Sequence, residues 1–357
     1  MKQGCWLIYA LGGGWGHLTR ALSLARVVAR QYSVKVLTNS VYAAGLPAEE
    51  GAHLHIIPPK AGLRATCRQV EQLIHDLDYC CLVVDTFPRG LGGELASMPR
   101  QKHGIPRVLI HRDISPKYVE SKYLRAFVLT QFDRILVPGE CNLGAQQTDP
   151  NQNLPLADLP QVHHTLPWLI RDAHELPDEA TARSHLRLPA ALSKKVVLVL
   201  ASGRVEELPW FGEVARTLAD YRPDLVVRLL SVTCPDNCPL ELWVTHWPAI
   251  ETMIVADVVI GSAGYNTFYE CQALGVPLVA RPFWRLYDRQ SARIQRWLGY
   301  QSQSSALDWP VMSVQDTRGV VLAVEKLLQR ERPHTVPTFV NGAIAAMQEI
   351  EQLLNGG

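Results

Sequence analysis

The feature that most constrains the fold is an alternation, along the first half of the chain, between short apolar runs and stretches of helical periodicity. The apolar runs are Cys5 to Leu11, Val34 to Thr38, His53 to Ile57, Cys81 to Asp85, Arg107 to Ile110 and Arg134 to Val137. After the first run, one helical stripe is formed by Leu18, Ala21, Leu22, Ala25 and Val28. This alternation is typical of a parallel sheet covered by helices.

A second series of the same kind follows a polar stretch from Gly144 to Pro160, where we expect a domain boundary. Its strands are predicted at Lys195 to Leu200, Leu225 to Leu230, Leu242 to Val244, Asp257 to Gly261 and Pro277 to Ala280. The chain has 357 residues, enough for two domains of roughly 100 to 200 residues. We therefore expect an α/β protein of two Rossmann-like, doubly wound domains with a crevice between them.

The domain ranges that follow are 1–165 for the first unit and 166–337 for the second. The tail, 338–357, has Ile344, Met347, Ile350 and Leu353 at helical spacing. It should form an amphipathic helix that packs back on the first domain.

Composition and charge restrict the class of partner. Lys and Arg total 35 against 34 for Asp and Glu, so bulk attraction to nucleic acid is not expected. The chain is 47% hydrophobic and 19% charged, as packed globular proteins are. A small-molecule partner fits this balance best, and the oligomeric state is not indicated.

Localisation signals are weak. Glycines interrupt the apolar N-terminal run, so a signal peptide is not expected, and no stretch approaches the ~18 apolar residues of a membrane span. The eight cysteines lie mostly in apolar contexts, as reduced thiols of the cytoplasm do. Cys234 and Cys238 lack a second pair at zinc-site spacing, so no metal site is expected.

The stretch ADVVIGSAGYNTFYECQALGVPLV orders a strand, a turn of small residues, a helix and another strand. From Gly261 to Gly264 little side chain obstructs a ligand, and the N-terminus of the following helix favours a phosphate. Thr267 can add a hydroxyl to the same anion. Glu270 suits the adjacent hydroxyls of a ribose. The alternative is a plain strand-to-helix turn with a solvated Glu.

Asp288, Arg289 and Gln290 follow an aromatic and basic loop, Pro282 to Tyr287. Carboxylate and amide groups suit sugar hydroxyls because they accept and donate at short range. Asp288 can equally cap the next helix.

The segment SAGYNTFYE, followed by DRQ, resembles the donor-binding segment of GT-B glycosyltransferases. It is most similar to that of the bacterial GlcNAc transferase of peptidoglycan synthesis. The resemblance implies that Gly264 and Thr267 contact the diphosphate and that Glu270 contacts the ribose. It also implies that Gln290 touches the donor sugar, with Asp288 as a second contact.

One residue departs from this family pattern. Ser262 stands where plant-type and macrolide-modifying members have His and the peptidoglycan enzyme has Arg. A charged diphosphate contact is therefore missing, and Arg204 or Arg281 can replace it.

A second glycine loop, GGGWGHLTRALSLA, follows the first strand and opens a helix. The second strand ends in Leu37, Thr38 and Asn39 without an acidic residue, so NAD is not expected. His17 at the helix start can accept a proton from an attacking hydroxyl. Arg20 lies one turn later on the same face and can pair with phosphate or with a carboxylate. Alternatively His17 is an ordinary polar residue at a helix terminus.

The GxGHxxR pattern also resembles the N-terminal loop of the GT-B superfamily, which lies between donor and acceptor. It is similar as well to nucleotide-sugar hydrolases of the same fold, in which the His is thought to activate water.

Three further groups end predicted strands. Asp85 can orient His17 or cap a turn, and His111, Arg112 and Asp113 can hold an acceptor. Ser202, Gly203 and Arg204 can reach donor phosphates. The segment from Lys117 to Arg125 is basic and aromatic; it is either a solvated face or a peripheral membrane contact.

The expected site divides by role. The catalytic residues are His17 and Asp85. The donor-binding residues are Gly14, Gly16, Ser202, Arg204, Ser262, Gly264, Asn266, Thr267, Glu270, Asp288 and Gln290. The acceptor-binding residues are Arg20, His111 and Arg112, and no metal ligand is expected.

The resulting hypothesis is a glycosyltransferase of the hexosyltransferase type, inverting and metal-independent. It would use a nucleotide-sugar, a UDP-sugar by preference, as co-substrate with no resident cofactor, and a small-molecule or lipid hydroxyl as acceptor. The alternatives are a nucleotide-sugar hydrolase of the same fold and a nucleotide-sugar-binding protein without catalysis.

Overall fold

The computed structural model describes residues 4–51, 53–97, 104–140, 154–191, 193–201, 203–303, 309–330 and 337–355. The chain divides into two compact units. One comprises Met1–Ile170, Leu286–Asp288 and Asn341–Gly357, and the other comprises Arg171–Arg285 and Arg289–Val340. Each unit is built on a parallel sheet, so the prediction of an α/β fold with two such sheets is confirmed.

The sheet of the first unit has the strand order β3-β2-β1-β4-β5-β6-β7, and all its described pairings are parallel. The strands are β1 (Cys5–Tyr9), β2 (Ser33–Thr38), β3 (Leu54–Ile56), β4 (Cys81–Asp85), β5 (Arg107–Ile110), β6 (Arg134–Pro138) and β7 (Val162–Thr165). The central strands are buried on both faces, which explains their near-continuous apolar sequence. The sequence analysis missed β7 because its sequence, VHHT, is half polar.

Helices cover both faces of this sheet. They are α1 (Trp15–Val28), α2 (Ala48–Gly51), α3 (Leu63–Asp76), α4 (Pro116–Ser121) and α5 (Leu124–Gln131), joined by the C-terminal helix α12 (Gly342–Asn355). Ala346 and Ile350 of α12 share a buried cluster with Ala21 and Ala25 of α1. The Asn341 side chain fixes the start of α12, because it accepts from Leu169 N at 3.1 Å and donates to Leu169 O at 2.8 Å.

The sheet of the second unit has the order β10-β9-β8-β11-β12-β13, again with parallel pairings. Its strands are β8 (Val196–Leu200), β9 (Val226–Leu230), β10 (Trp243–Val244), β11 (Val258–Ser262), β12 (Leu278–Arg281) and β13 (Val311–Ser313). Its helices are α6 (Glu179–His185), α7 (Leu208–Tyr221), α8 (Ile250–Met253), α9 (Tyr265–Ala273), α10 (Gln290–Gln303) and α11 (Thr317–Leu328). The short edge strand β13 was also missed from the sequence.

The polar stretch expected to hold the domain boundary is described only in part. Residues 141–153 lie outside the described ranges, whereas Leu154, Leu156 and Leu159 are buried in the core of the first unit. The chain from 154 to 170 thus belongs with the first sheet.

Strand order places the candidate loops. In the first sheet β1 lies between β2 and β4, so the chain leaves β1 and β4 in opposite directions along the sheet. The same reversal occurs at β8 and β11 in the second sheet. Ligands of doubly wound sheets bind beyond the carboxyl ends of the strands at such a switch point.

Candidate functional site

His17 and Asp85 meet at the switch point of the first sheet. His17 lies in the first turn of α1 and Asp85 is the last residue of β4. The distance from His17 Nδ1 to Asp85 Oδ2 is 2.6 Å. An ionised carboxylate only accepts, so Nδ1 carries the proton and Nε2 keeps its lone pair.

Arg20, one turn further along α1, holds the same carboxylate from the other side. Its Nε donates to Asp85 Oδ1 at 2.8 Å, and its Nη2 donates to both carboxylate oxygens at 2.7 Å. Arg20 and Asp85 are fully buried. From the sequence, Arg20 was expected to bind acceptor or to pair with a phosphate or a carboxylate, and in the structure its guanidinium pairs with the carboxylate of Asp85. Thr86, which follows, has a φ of 68°, a backbone conformation that non-glycine residues adopt mainly where surrounding contacts enforce it.

The charges set the protonation states of this group. Burial raises the pKa of Asp85, but the charges and hydrogen bonds of Arg20 and His17 outweigh it and lower that pKa to about 2. Burial lowers the pKa of His17 below its usual 6.5, assisted by Arg20 and Arg112 and opposed by Asp85. At neutral pH His17 is therefore a neutral imidazole next to an ionised carboxylate, as a general base must be.

The glycine loop before α1 is shaped by His17 itself. A Cβ at Gly12 would lie 2.4 Å from His17 Cδ2, so only glycine fits above the ring. Asn39, at the end of β2, accepts from Gly12 N at 2.9 Å and from Gly13 N at 3.1 Å. Asn39 thus fixes the glycine loop, a role not predicted from the sequence although its position directly after a strand was visible.

The N-terminus of α1 has no side-chain cap. Its N-cap residue is Gly14, no acidic residue lies in the first turn, and the structure shows open space where a Cβ of Gly14 would be. Gly16 faces Arg112, whose Nη1 would lie 3.5 Å from a Cβ there. These features leave the positive end of the helix dipole available to an anion.

Two predicted acceptor residues are engaged in other contacts. His111 is buried and its Nε2 contacts the carbonyl oxygen of Pro155. Arg112 forms an ion pair of 3.0 Å with Asp288, which had been expected to touch the donor sugar. The segment Leu286–Asp288 packs on the first unit, where the Tyr287 ring meets Phe87 and Tyr118 edge-on. Arg112 and Asp288 lie so far apart in the sequence that no local pattern indicated their ion pair.

The turn between β11 and α9 forms a second candidate site. Gly264 is the N-cap of α9, and neither a side-chain cap nor an acidic residue occupies the first turn. The hydroxyl of Ser262 accepts from Gly264 N at 3.3 Å. Thr267 packs against Gly261, where a Cβ would lie 2.9 Å from Thr267 Cγ2. The sequence thus builds a strand-to-helix turn of small residues, with Asn266 and Thr267 half-buried beside it.

Glu270 lies one turn into α9 and is 5% exposed. In the described part of the chain no hydrogen bond reaches its carboxyl group. Burial raises its pKa to about 7, opposed by the charge of Arg171. A buried acid without hydrogen-bonding partners is costly, and such groups are enriched at functional sites.

Gln290 and Arg293 support this turn from α10. Gln290 is buried, its Oε1 accepts from Phe283 N at 2.9 Å, and its Nε2 would lie 3.8 Å from a Cβ at Gly264. Arg293 is also buried and donates from Nη1 to Ala263 O at 2.6 Å. The structure thus brings Gln290 to the turn as expected and adds Arg293, whose spacing of three residues from Gln290 was the available signal.

Of the predicted loop after β8, Ser202 lies outside the described residues. Arg204 is exposed and pairs with Glu206 at 3.5 Å. An exposed ion pair of this length contributes little to stability, so the Arg204 side chain can readily change partners.

Among the described residues of the second unit, two groups have metal-ligand residue types, and both have structural explanations. The rings of His185 and His246 stack at 3.9 Å with planes 21° apart, and His246 Nε2 lies 2.8 Å from Glu251. A metal lies in the plane of each imidazole that binds it, so nearly parallel stacked rings do not share one. Asp172 and Glu175 form a capping box beside His174.

The basic and aromatic segment from Lys117 to Arg125 is not one surface. Tyr118 packs on Tyr287, Tyr123 is 79% exposed, and Arg125 forms a two-pronged pair with Asp158. Over the described ranges, none of the helices has the length and apolar character to cross a membrane.

Comparisons with known proteins concern the fold. No protein-family model matches the chain, and no curated protein matches it in sequence. Among solved structures, the glycosyltransferase of kitacinnamycin is 20% identical with a TM-score of 0.62, covering 98% of this chain and 99% of its own. The calicheamicin glycosyltransferase CalG4 is 15% identical with a TM-score of 0.60, covering 100% and 99%.

A third similar structure is MnaA from S. aureus with UDP, which is 13% identical with a TM-score of 0.62 and covers 99% of this chain and 97% of its own. These similarities extend over both sheets, and the expectation from the sequence is confirmed: this chain has the GT-B fold.

Proposed function

We propose that the protein is a glycosyltransferase that binds a nucleotide-sugar at the turn from Gly261 to Glu270 and transfers the sugar to a hydroxyl acceptor. The observation that carries the proposal is the carboxyl of Glu270, which is buried without a hydrogen-bonding partner among the described residues, one turn from an uncapped helix N-terminus. Ribose hydroxyls would supply the missing donors, while the amides at the start of α9 would hold the diphosphate.

The donor is proposed to be a UDP-sugar. MnaA was solved with UDP and the glycosyltransferase SsfS6 with thymidine diphosphate, so a pyrimidine nucleoside diphosphate is the ligand class that similar structures hold. Gln290, buried at the turn, would donate from Nε2 to a hydroxyl of the donor sugar.

The transfer step is assigned to His17. Its Nε2 accepts the proton of the acceptor hydroxyl while the hydroxyl oxygen forms a bond to the anomeric carbon. The bond from that carbon to the diphosphate oxygen breaks, its electron pair leaves with the nucleotide, and the configuration inverts. Asp85 stabilises the resulting imidazolium, and the dipole of α9 stabilises the leaving diphosphate.

The acceptor is proposed to be a small-molecule or lipid hydroxyl, and the step is proposed to need no metal. Addition of EDTA should leave turnover unchanged, whereas loss of turnover that Mg²⁺ restores would contradict metal independence.

The test incubates the pure protein with UDP-, dTDP- and GDP-sugars and a cell extract, and follows glycosylated product by mass spectrometry. We expect product with wild type, and far less product with His17→Gln or Glu270→Gln. Sugar released in the absence of extract would instead identify a hydrolase. Nucleotide binding without turnover, unchanged in His17→Gln, would identify a non-catalytic binding protein.

A further inference from the structure

The proposed diphosphate site lacks a charged group at the end of β11. A nucleoside diphosphate carries two or more negative charges, and Ser262, whose hydroxyl borders the N-terminus of α9, is neutral. Helix amides attract an anion, but a cation in contact would strengthen binding by a charge-assisted hydrogen bond.

Several arginines described near this edge of the second sheet have a polar partner. Arg285 pairs with the buried Glu207 at 2.5 Å, and Arg293 donates to Ala263 O. Arg204 pairs with Glu206. Within the described residues, the guanidinium of Arg281 has neither an ion pair nor a hydrogen bond.

Arg281 is also the arginine that the strand register places beside Ser262. It ends β12, which pairs with β11 in parallel, and Arg281 is the direct register partner of Ser262. Ile260 lies two residues before Ser262, Val279 lies two residues before Arg281, and both are buried in the same cluster. Because alternate residues of a strand point to the same face of the sheet, the side chains of Ser262 and Arg281 lie on one face.

Two aromatic rings hold the guanidinium. Its central carbon lies 4.5 Å from the ring centroid of Trp210 on α7 and 4.9 Å from that of Phe283. Contact with aromatic faces leaves the N–H groups, which lie in the guanidinium plane, free to donate to an oxyanion. The rings also limit the side chain's freedom, which reduces the entropy lost on binding.

We propose that Arg281 is the diphosphate-binding cation of this site, positioned by Trp210 and Phe283. The inference rests on the proposed nucleotide site at Gly261 to Glu270 and assigns its charged contact. Because Arg281 would contact the diphosphate and not the nucleoside, a change at Arg281 should affect binding of the diphosphate alone.

The experiment measures UDP binding by calorimetry and uridine binding by NMR titration, for wild type, Arg281→Gln, Arg281→Lys and the control Arg216→Gln, at an exposed position of α7. We expect Arg281→Gln to weaken UDP binding about 10- to 100-fold, as loss of a charge-assisted hydrogen bond does, and to leave uridine binding unchanged. Arg281→Lys should recover part of the loss, and Arg216→Gln should bind UDP as wild type does.

Two results would overturn the assignment of Arg281 alone: UDP binding unchanged in Arg281→Gln, or UDP and uridine weakened equally. The second would mean that Arg281 supports the structure of the whole site and does not bind the diphosphate. Failure of wild type to bind UDP, dTDP or GDP would instead overturn the proposed nucleotide site itself, and Arg281 with it.

Discussion

His17 and Asp85 share a hydrogen bond of 2.6 Å from imidazole Nδ1 to the carboxylate, although 68 positions separate them in the chain. The bond fixes the tautomer in which Nε2 is the basic nitrogen. Because Arg20 keeps Asp85 ionised, the carboxylate is ready to stabilise a proton that His17 receives.

Replacement of His17 by Gln should remove the catalytic base and leave binding of the nucleotide-sugar donor unchanged. We expect kcat/KM to fall about 10²- to 10⁴-fold, the usual contribution of general base catalysis, while the Kd for UDP stays unchanged. The matched control is His75→Gln, since His75 is 75% exposed and its turnover should equal wild type. Equal turnover in His17→Gln would assign the base elsewhere.

Replacement of Arg20 by Met should change both stability and the pH profile. It leaves the buried Asp85 without its guanidinium partner, which costs about 3–5 kcal/mol of the free energy of unfolding. Because the charge of Arg20 lowers the pKa of His17, its removal should raise that pKa and move the acidic limb of the rate profile to higher pH. Denaturation in urea and a pH–rate series check the two effects. An acidic limb at the same pH as in wild type would show that Arg20 has only a structural role.

The strand and motif positions were predictable because their causes are local. Buried strands such as β4 are continuous apolar runs, and the turn at Gly261 needs small residues within a few positions. One pairing across the fold was predictable: Asp85 ends a strand and His17 begins a helix at the same edge of the sheet. Others had no local cause, such as the ion pair between Arg112 and Asp288. The requirement for glycine at Gly12 likewise comes from the His17 ring, which only the folded loop brings over it.

Glu270→Gln should stabilise the free protein at alkaline pH. The folded pKa of about 7 lies above the ordinary 4.5, so ionisation in the fold costs free energy as pH rises through this window. At pH 8 we expect the unfolding free energy of Glu270→Gln to exceed that of wild type by up to about 3 kcal/mol, falling to near zero at pH 4. Urea denaturation at both pH values measures the difference. A variant less stable than wild type at pH 8 would mean that the carboxylate is satisfied in the free protein.

Gly342→Ala should loosen the C-terminal helix from the first unit. A Cβ at Gly342 would lie 1.8 Å from the backbone oxygen of Leu166, so α12 must shift. We expect a loss of about 1–3 kcal/mol, as overpacking usually costs. Gly299→Ala is the control, because open space surrounds Gly299 in α10 and alanine there should add about 0.5–1 kcal/mol. Similar melting temperatures for Gly342→Ala and wild type would contradict the close contact.

The central claim is that the turn from Gly261 to Glu270 holds a nucleoside diphosphate, and thermal unfolding with nucleotides tests it most directly. At about 100 times Kd, UDP should stabilise wild type by about 2.7 kcal/mol and raise Tm by about 4 °C. Glu270→Gln should show a clearly smaller rise at the same concentration, since the amide keeps one acceptor oxygen but replaces the other, charged one with an NH2 donor. No rise with UDP, dTDP or GDP, or an equal rise in Glu270→Gln, would contradict the account.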